Sequence, residues 1–172
     1  MTAVSASVAL PVGEAKTARV GCGVLLDGFV KPSAGEAHAF RPGGLVSFGL
    51  ETPVHESGGR APAIDATFAV AATWAQTEDP ASGARAGYFA ADARLGLRAT
   101  WQVADRFYPN AAVRVFGGPV NWSLDSDDVR GSDIHHYQLA LGGVARVGSV
   151  AFFAEWAALG ERGVSAGLST AW

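Results

Sequence analysis

The sequence is poor in long hydrophobic runs, in cysteine and in lysine, and it carries no surplus of positive charge. Each shortage closes off a class of protein. No window approaches the ~18 consecutive apolar residues that a membrane-crossing helix needs, so any membrane segment in these 172 residues has to be a strand. Cys22 stands alone, which excludes an internal disulfide framework and a cysteine-built zinc site; it reads as a small semi-apolar wall residue. The net charge is −3 and the 13 Lys and Arg residues are spread along the chain, so nothing in the electrostatics favours nucleic acid. Lysine occurs only at Lys16 and Lys31, whereas the solvated face of a soluble sheet is commonly rich in Lys and Glu.

What is present is apolar and alternating. Hydrophobic residues make up 49% and charged residues 17% of the chain, the latter below the roughly 25% of an ordinary soluble domain. Between clusters of Gly, Pro and Asp the pattern has period two, the mark of strands with one apolar face. From Tyr88 to Val103, Phe89, Ala91, Ala93, Leu95, Leu97, Ala99 and Trp101 fall on one face, with Asp92, Arg94, Arg98 and Gln102 on the other. A helix would mix these sets.

Eight further segments repeat the pattern: Val4 to Leu10, Ala18 to Leu26, Val46 to Thr52, Ile64 to Trp74, Ala111 to Leu124, Tyr137 to Val147, Val150 to Ala158 and Val164 to Trp172. A phase slip at Gly117-Gly118-Pro119 reads as a bulge. Nine strands over one 1–172 domain predict an all-β fold, an antiparallel up-and-down transmembrane β-barrel of eight to ten strands. Short links near Val12 to Lys16, Glu56 to Arg60, Asp105 to Asn110 and Gly148-Ser149 alternate with longer ones near Lys31 to Arg41, Thr77 to Arg85 and Asp125 to Asp133, so the two ends differ. If the long links are external, Trp74, Tyr88, Phe89, Trp122, Tyr137 and Trp156 form an external aromatic girdle, and Trp101, Phe107, Tyr108 and Trp172 an internal one. A soluble sandwich would place its aromatics in mid-strand instead.

The segment Gly163-Val-Ser-Ala-Gly-Leu-Ser-Thr-Ala-Trp172 resembles the terminal strand of bacterial outer-membrane β-barrel proteins, with an aromatic last and apolar residues alternating before it. The resemblance implies residence in the bacterial outer membrane, contact with membrane lipids, and recognition of Val164, Ala166, Leu168, Thr170 and Trp172 by the barrel-assembly machinery through β-augmentation. Single-chain barrels of that family have even strand numbers, so nine implies a missing first strand or a miscounted one. Their export signal has a basic start and an apolar middle; residues 1–7 have neither, so the leader is expected to lie outside this sequence.

The inward face collects Arg19, Asp27, Glu51, Asp65, Asp92, Arg94, Arg98, Arg114, His136, Gln138, Arg146 and Glu155. Charges of both signs in a narrow lumen are expected to pair, giving a plugged barrel with a structural or interaction role. A small-solute pore is the second reading, with Arg94 and Arg98 about 13 Å apart along one strand and bracketing one lumen level. A lipid hydrolase at the external rim is the third, its catalytic candidates being Ser132, His135, His136 and Glu155, with Asp133 and Ser123 close by. His135 and His136 with Asp125, Asp127 and Asp128 match no standard metal-ligand spacing, so no metal or cofactor is expected.

Overall fold

The structure is a computed structural model, and it describes residues 1–31, 36–57, 61–124, 127–132 and 135–170. Its strands are β1 (Thr2–Val12), β2 (Lys16–Asp27), β3 (Phe29–Val30), β4 (His38–Phe40), β5 (Gly43–His55), β6 (Ala63–Glu78), β7 (Arg85–Thr100), β8 (Phe107–Gly117), β9 (Val120–Leu124), β10 (Asp127–Gly131), β11 (Tyr137–Val147), β12 (Val150–Gly160) and β13 (Gly163–Thr170). The fold is all-β and antiparallel, an up-and-down, barrel-like sheet. Its main path runs β1-β2-β5-β6-β7-β8-β11-β12-β13, and each of the nine expected segments overlaps one of these strands.

Alternation decides which way each side chain points, and the ladders carry that choice from strand to strand. Val8, Val20, Phe48, Val70 and Ala93 form one row across β1, β2, β5, β6 and β7. Leu97 faces Val113, and Leu141, Trp156 and Val164 continue the same surface across β11, β12 and β13. This apolar face is open: Leu95 is 59% and Leu168 67% exposed. On the opposite face, side chains from strands two apart meet, as when Arg114 of β8 reaches Glu155 of β12 across β11. The sheet therefore curls around its polar face. Among the described residues, nine apolar side chains are buried and five of them are alanines, too little large apolar volume for an inward hydrophobic core.

Short connections are made by tight turns. Gly148 and Ser149 alone join β11 to β12, and Gly148 takes φ +61°, a backbone that glycine adopts without a steric penalty.

The bulge expected at Gly117-Gly118-Pro119 is absent. Ala93 pairs with Gly117 and Ala90 with Val120, so three residues advance on each strand and the register is kept. Pro119 has no N–H to donate, but its carbonyl accepts the Ala91 N–H at 3.0 Å. Gly118 has to be glycine, because a Cβ there would lie 1.8 Å from the Ala91 carbonyl oxygen. Two boundaries also move. β7 stops at Thr100, leaving Trp101 and Val103 in the connection, and Phe107 and Tyr108 open β8 rather than sitting in a turn. The long connections contain short strands of their own, β3 with β4 and β9 with β10, and β4 and β9 extend the ladders of β6 and β7. Among the described residues β1 pairs only with β2 and β13 only with β12, so the sheet is open along two edges.

Candidate functional site

The concave face is floored by small residues on which long charged side chains lie. Opposite Arg114 stands Gly96, where a Cβ would come 3.0 Å from Arg114 Cγ and 2.9 Å from Thr67 Oγ1. Opposite Glu155 stands Gly142, where a Cβ would come 3.2 Å from Glu155 Cα. Over this floor the Arg114 guanidinium donates to both Glu155 carboxylate oxygens at 2.6 Å and to Gln138 Oε1 at 2.7 Å. Both charged side chains are less than one-fifth exposed. The two-pronged geometry and the third acceptor on β11 give this pair the bonds that partial burial demands.

A second group spans β5, β6 and β7. Arg98 lies 3.5 Å from Glu51 across β6, and Asp65 on the intervening strand is the ladder partner of Arg98. Arg94 pairs with Asp92 on its own strand, lies 4.0 Å from Glu161, and covers the Phe116 ring at 5.2 Å. Two inward arginines stand apart from carboxylates among the described residues. Arg19 reaches Ser7 Oγ at 3.4 Å, and Arg146 lies over the Tyr108 ring at 4.8 Å. Asp27 ends β2 opposite Thr2, and His136 Nδ1 sits 3.2 Å from the Phe116 carbonyl.

A packed cluster at the long-connection end escaped the sequence reading. Trp122 and Tyr88, expected on an outer girdle, are on the concave side, because the unbroken register through Pro119 sets Trp122 opposite Tyr88 on the face of Arg114. Trp122 is 3% exposed and donates its indole N–H to Thr77 Oγ1 at 2.8 Å, while Thr77 donates to the Ala86 carbonyl at 3.4 Å. His38 meets Trp122 edge to face, as Phe40 meets Tyr88. Beside the cluster Glu78 accepts from Arg41 at 2.6 Å and from Arg85 at 3.1 Å. In the following turn, hydrogen bonds from the Ser82 hydroxyl and then the Ala81 N–H hold the Asp79 carboxyl below its usual range. The legible signal was the parity of Ala112, Arg114 and Phe116, had it been carried across Pro119.

Of the remaining girdle aromatics on the described strands all but Tyr108 are convex; Tyr108, expected on the internal girdle, lies on the concave face beneath Arg146, because it shares the parity of Arg114 on β8. Trp74 lies over Gly44 and faces Phe89; Tyr137 faces Val115; Trp156 faces Leu141. Trp101 follows β7 at the opposite end. Trp172, Asp125 and Asp133 lie outside the described residues. Val164, Ala166, Leu168 and Thr170 lie along the β13 edge, on its apolar side.

Among the described residues no hydrogen bond or ion pair joins the rim residues proposed for catalysis to one another. Ser132 is exposed, His135 stacks edge-on to Tyr137 at 6.4 Å, His136 is held at the Phe116 carbonyl, and Glu155 is committed to Arg114. Among the described residues no group of three or more His, Cys, Asp or Glu is placed to hold a metal ion. Comparison with known protein families, with curated proteins and with solved structures finds no match to this chain.

Proposed function

We propose that this chain is an integral β-barrel protein of a bacterial outer membrane, with a charged lumen plugged by ion pairs and a structural or interaction role. One observation carries the reading: an apolar face continuous from β1 to β13 is left exposed, while the inward charges sit on the other face. Monomeric soluble proteins rarely expose an apolar patch beyond a few hundred Å². In lipid the same face replaces water contacts with acyl chains, and antiparallel ladders satisfy the backbone within the protein. Trp74, Tyr137 and Trp156 at one end and Trp101 and Phe107 at the other suit the two interfaces. The partners of this reading are membrane lipids along the convex face and the barrel-assembly machinery at β13.

A narrow pore is the second reading, and Arg19 and Arg146 favour it, since among the described residues no carboxylate pairs with them. Reconstitution separates the two. The folded chain is expected to float with phospholipid vesicles, to migrate differently on a detergent gel before and after heating, and to give no steady single-channel steps in a planar bilayer. Regular anion-selective steps would replace the plug with a pore. A folded monomer in detergent-free buffer would remove the membrane assignment itself.

A further inference from the structure

The outward residues of β6 mark where the apolar face stops. From Ile64 to Trp74 the convex side chains are Ile, Ala, Phe, Val, Ala and Trp, over eleven residues, the length of strand that crosses the hydrocarbon of a bilayer. The next outward residues on the same strand are Gln76 and Glu78, and on β7 the step past Phe89 leads to Gly87 and Arg85. Both central strands therefore turn polar at one level, just beyond Trp74.

Three charged side chains meet there. Glu78 and Arg85 are ladder partners, and Arg41, whose N–H donates to the Gln76 carbonyl at 2.8 Å, enters from the connection between β4 and β5. Glu78 Oε2 accepts from Arg41 Nε at 2.9 Å and Nη2 at 2.6 Å, and from Arg85 Nε at 3.1 Å. One carboxylate thus serves two guanidiniums and takes three of the ten N–H groups they carry. The trio keeps one net positive charge, and both arginines are exposed.

Beside the trio the backbone leaves room. At Gly43 a Cβ would lie 2.3 Å from the Trp74 carbonyl oxygen, and at Gly44 2.4 Å from Trp74 Cζ2, so the paired glycines let the indole lie against the strand. An open notch of about 370 Å³ is lined there by Pro42, Gly43, Gly44, Trp74, Ala75 and Gln76. Gln76 is about 7 Å along the strand from Trp74 at ~3.3 Å per residue, and the headgroup layer on each side of a bilayer is about 5–8 Å deep. With Trp74 at the hydrocarbon boundary, the notch and Arg41 fall at the level of the lipid phosphates.

We propose that this notch holds the headgroup of an anionic glycerophospholipid, its phosphate taken by Arg41 and Arg85 and the start of its acyl chains by the indole of Trp74. The proposal rests on the membrane reading and deepens it, giving one class of lipid a fixed place on the apolar wall. Planar guanidinium forks match phosphate oxygens. One net positive charge at a membrane surface favours anionic over zwitterionic lipid about fivefold.

The test keeps Trp74 as the sole tryptophan, the others replaced by Phe, in phosphatidylcholine vesicles that carry a minor fraction of brominated phosphatidylglycerol or, separately, of brominated phosphatidylcholine. Quenching by the anionic lipid is expected to be about fivefold more efficient. That preference should disappear in Arg41→Gln with Arg85→Gln, and persist in Lys16→Gln with Arg106→Gln, which removes the same charge at the opposite end of the strands. Equal quenching by the two lipids overturns the site and leaves the membrane reading standing. So does a preference that survives the loss of both arginines, or one that vanishes equally with Lys16 and Arg106. No quenching by either lipid overturns the membrane reading and the site with it. Native mass spectrometry of the unsubstituted chain, released from an equal mixture of the two lipids in detergent, gives a second reading: retention of phosphatidylglycerol over phosphatidylcholine is expected, and equal retention contradicts the site.

Discussion

On β7 and β8, Arg98 and Arg114 reach carboxylates two strands away, and Trp122 beside them is buried against Thr77; on β1 and β13 there is no charged residue at all. The middle of the sheet is tied together through its concave face, and its edges carry only small and apolar residues. The difference teaches where the curvature is held and where the sheet is free to join. Arginines that bridge over an intervening strand fix the bend of β5 to β12, whereas uncharged edges leave the choice of neighbour to backbone hydrogen bonds.

The contrast can be broken most severely at the packed cluster. Trp122→Ala removes a buried indole, leaves the Thr77 hydroxyl without its donor, and is expected to cost about 3–5 kcal/mol in denaturant unfolding of the detergent-folded protein. Thr77→Val, which keeps the volume but strands the indole N–H, is expected to cost about 1–2 kcal/mol. Next comes the convex wall of the central strands: Leu95→Arg is expected to cost about 2–4 kcal/mol in bilayers if Leu95 lies near the midplane. The ion pair ranks below the tryptophan and the leucine. Glu155→Ala leaves Arg114 with Gln138 alone, and since both charged groups keep some solvent contact the expected loss is about 1–3 kcal/mol. Against these values, Ser5→Ala or Ser165→Ala at the edges should change stability by less than about 0.5 kcal/mol; an edge loss as large as that of Glu155→Ala would erase the contrast.

The smallest effect is at the β6–β7 turn. Its hydrogen bonds lower the Asp79 pKa below the ordinary value of 3.8, so the carboxylate's contribution is present above that value and is lost as pH falls through the lower folded one. Amide exchange at Ala81 and Ala84 should accelerate only in strongly acidic buffer, and Asp79→Asn should flatten that dependence.

Strand positions and facing were readable because alternation records directly which side chains share an environment, from Val20, Cys22 and Val24 on β2 to Phe89 through Leu97 on β7. Which charged residues share the concave face was readable for the same reason. Which charges pair was not, since Arg114 and Glu155 are 41 residues apart and meet only through the register of β8, β11 and β12. Trp122 was misplaced because a proline resembles a break in a strand, while the ladder here needs only its carbonyl. β3 and β4, of two and three residues, are too short to show a period; they exist because β6 offers its free edge beyond Trp74.

The account turns on which face meets lipid, and tryptophan fluorescence in vesicles with brominated acyl chains reads that directly. Two variants suffice, each keeping one tryptophan, Trp156 on the convex face or Trp122 on the concave one, with the other tryptophans replaced by Phe. Strong quenching of Trp156 with little quenching of Trp122 is the predicted result. Equal quenching of both, or none of either in protein that has bound the vesicles, would contradict it.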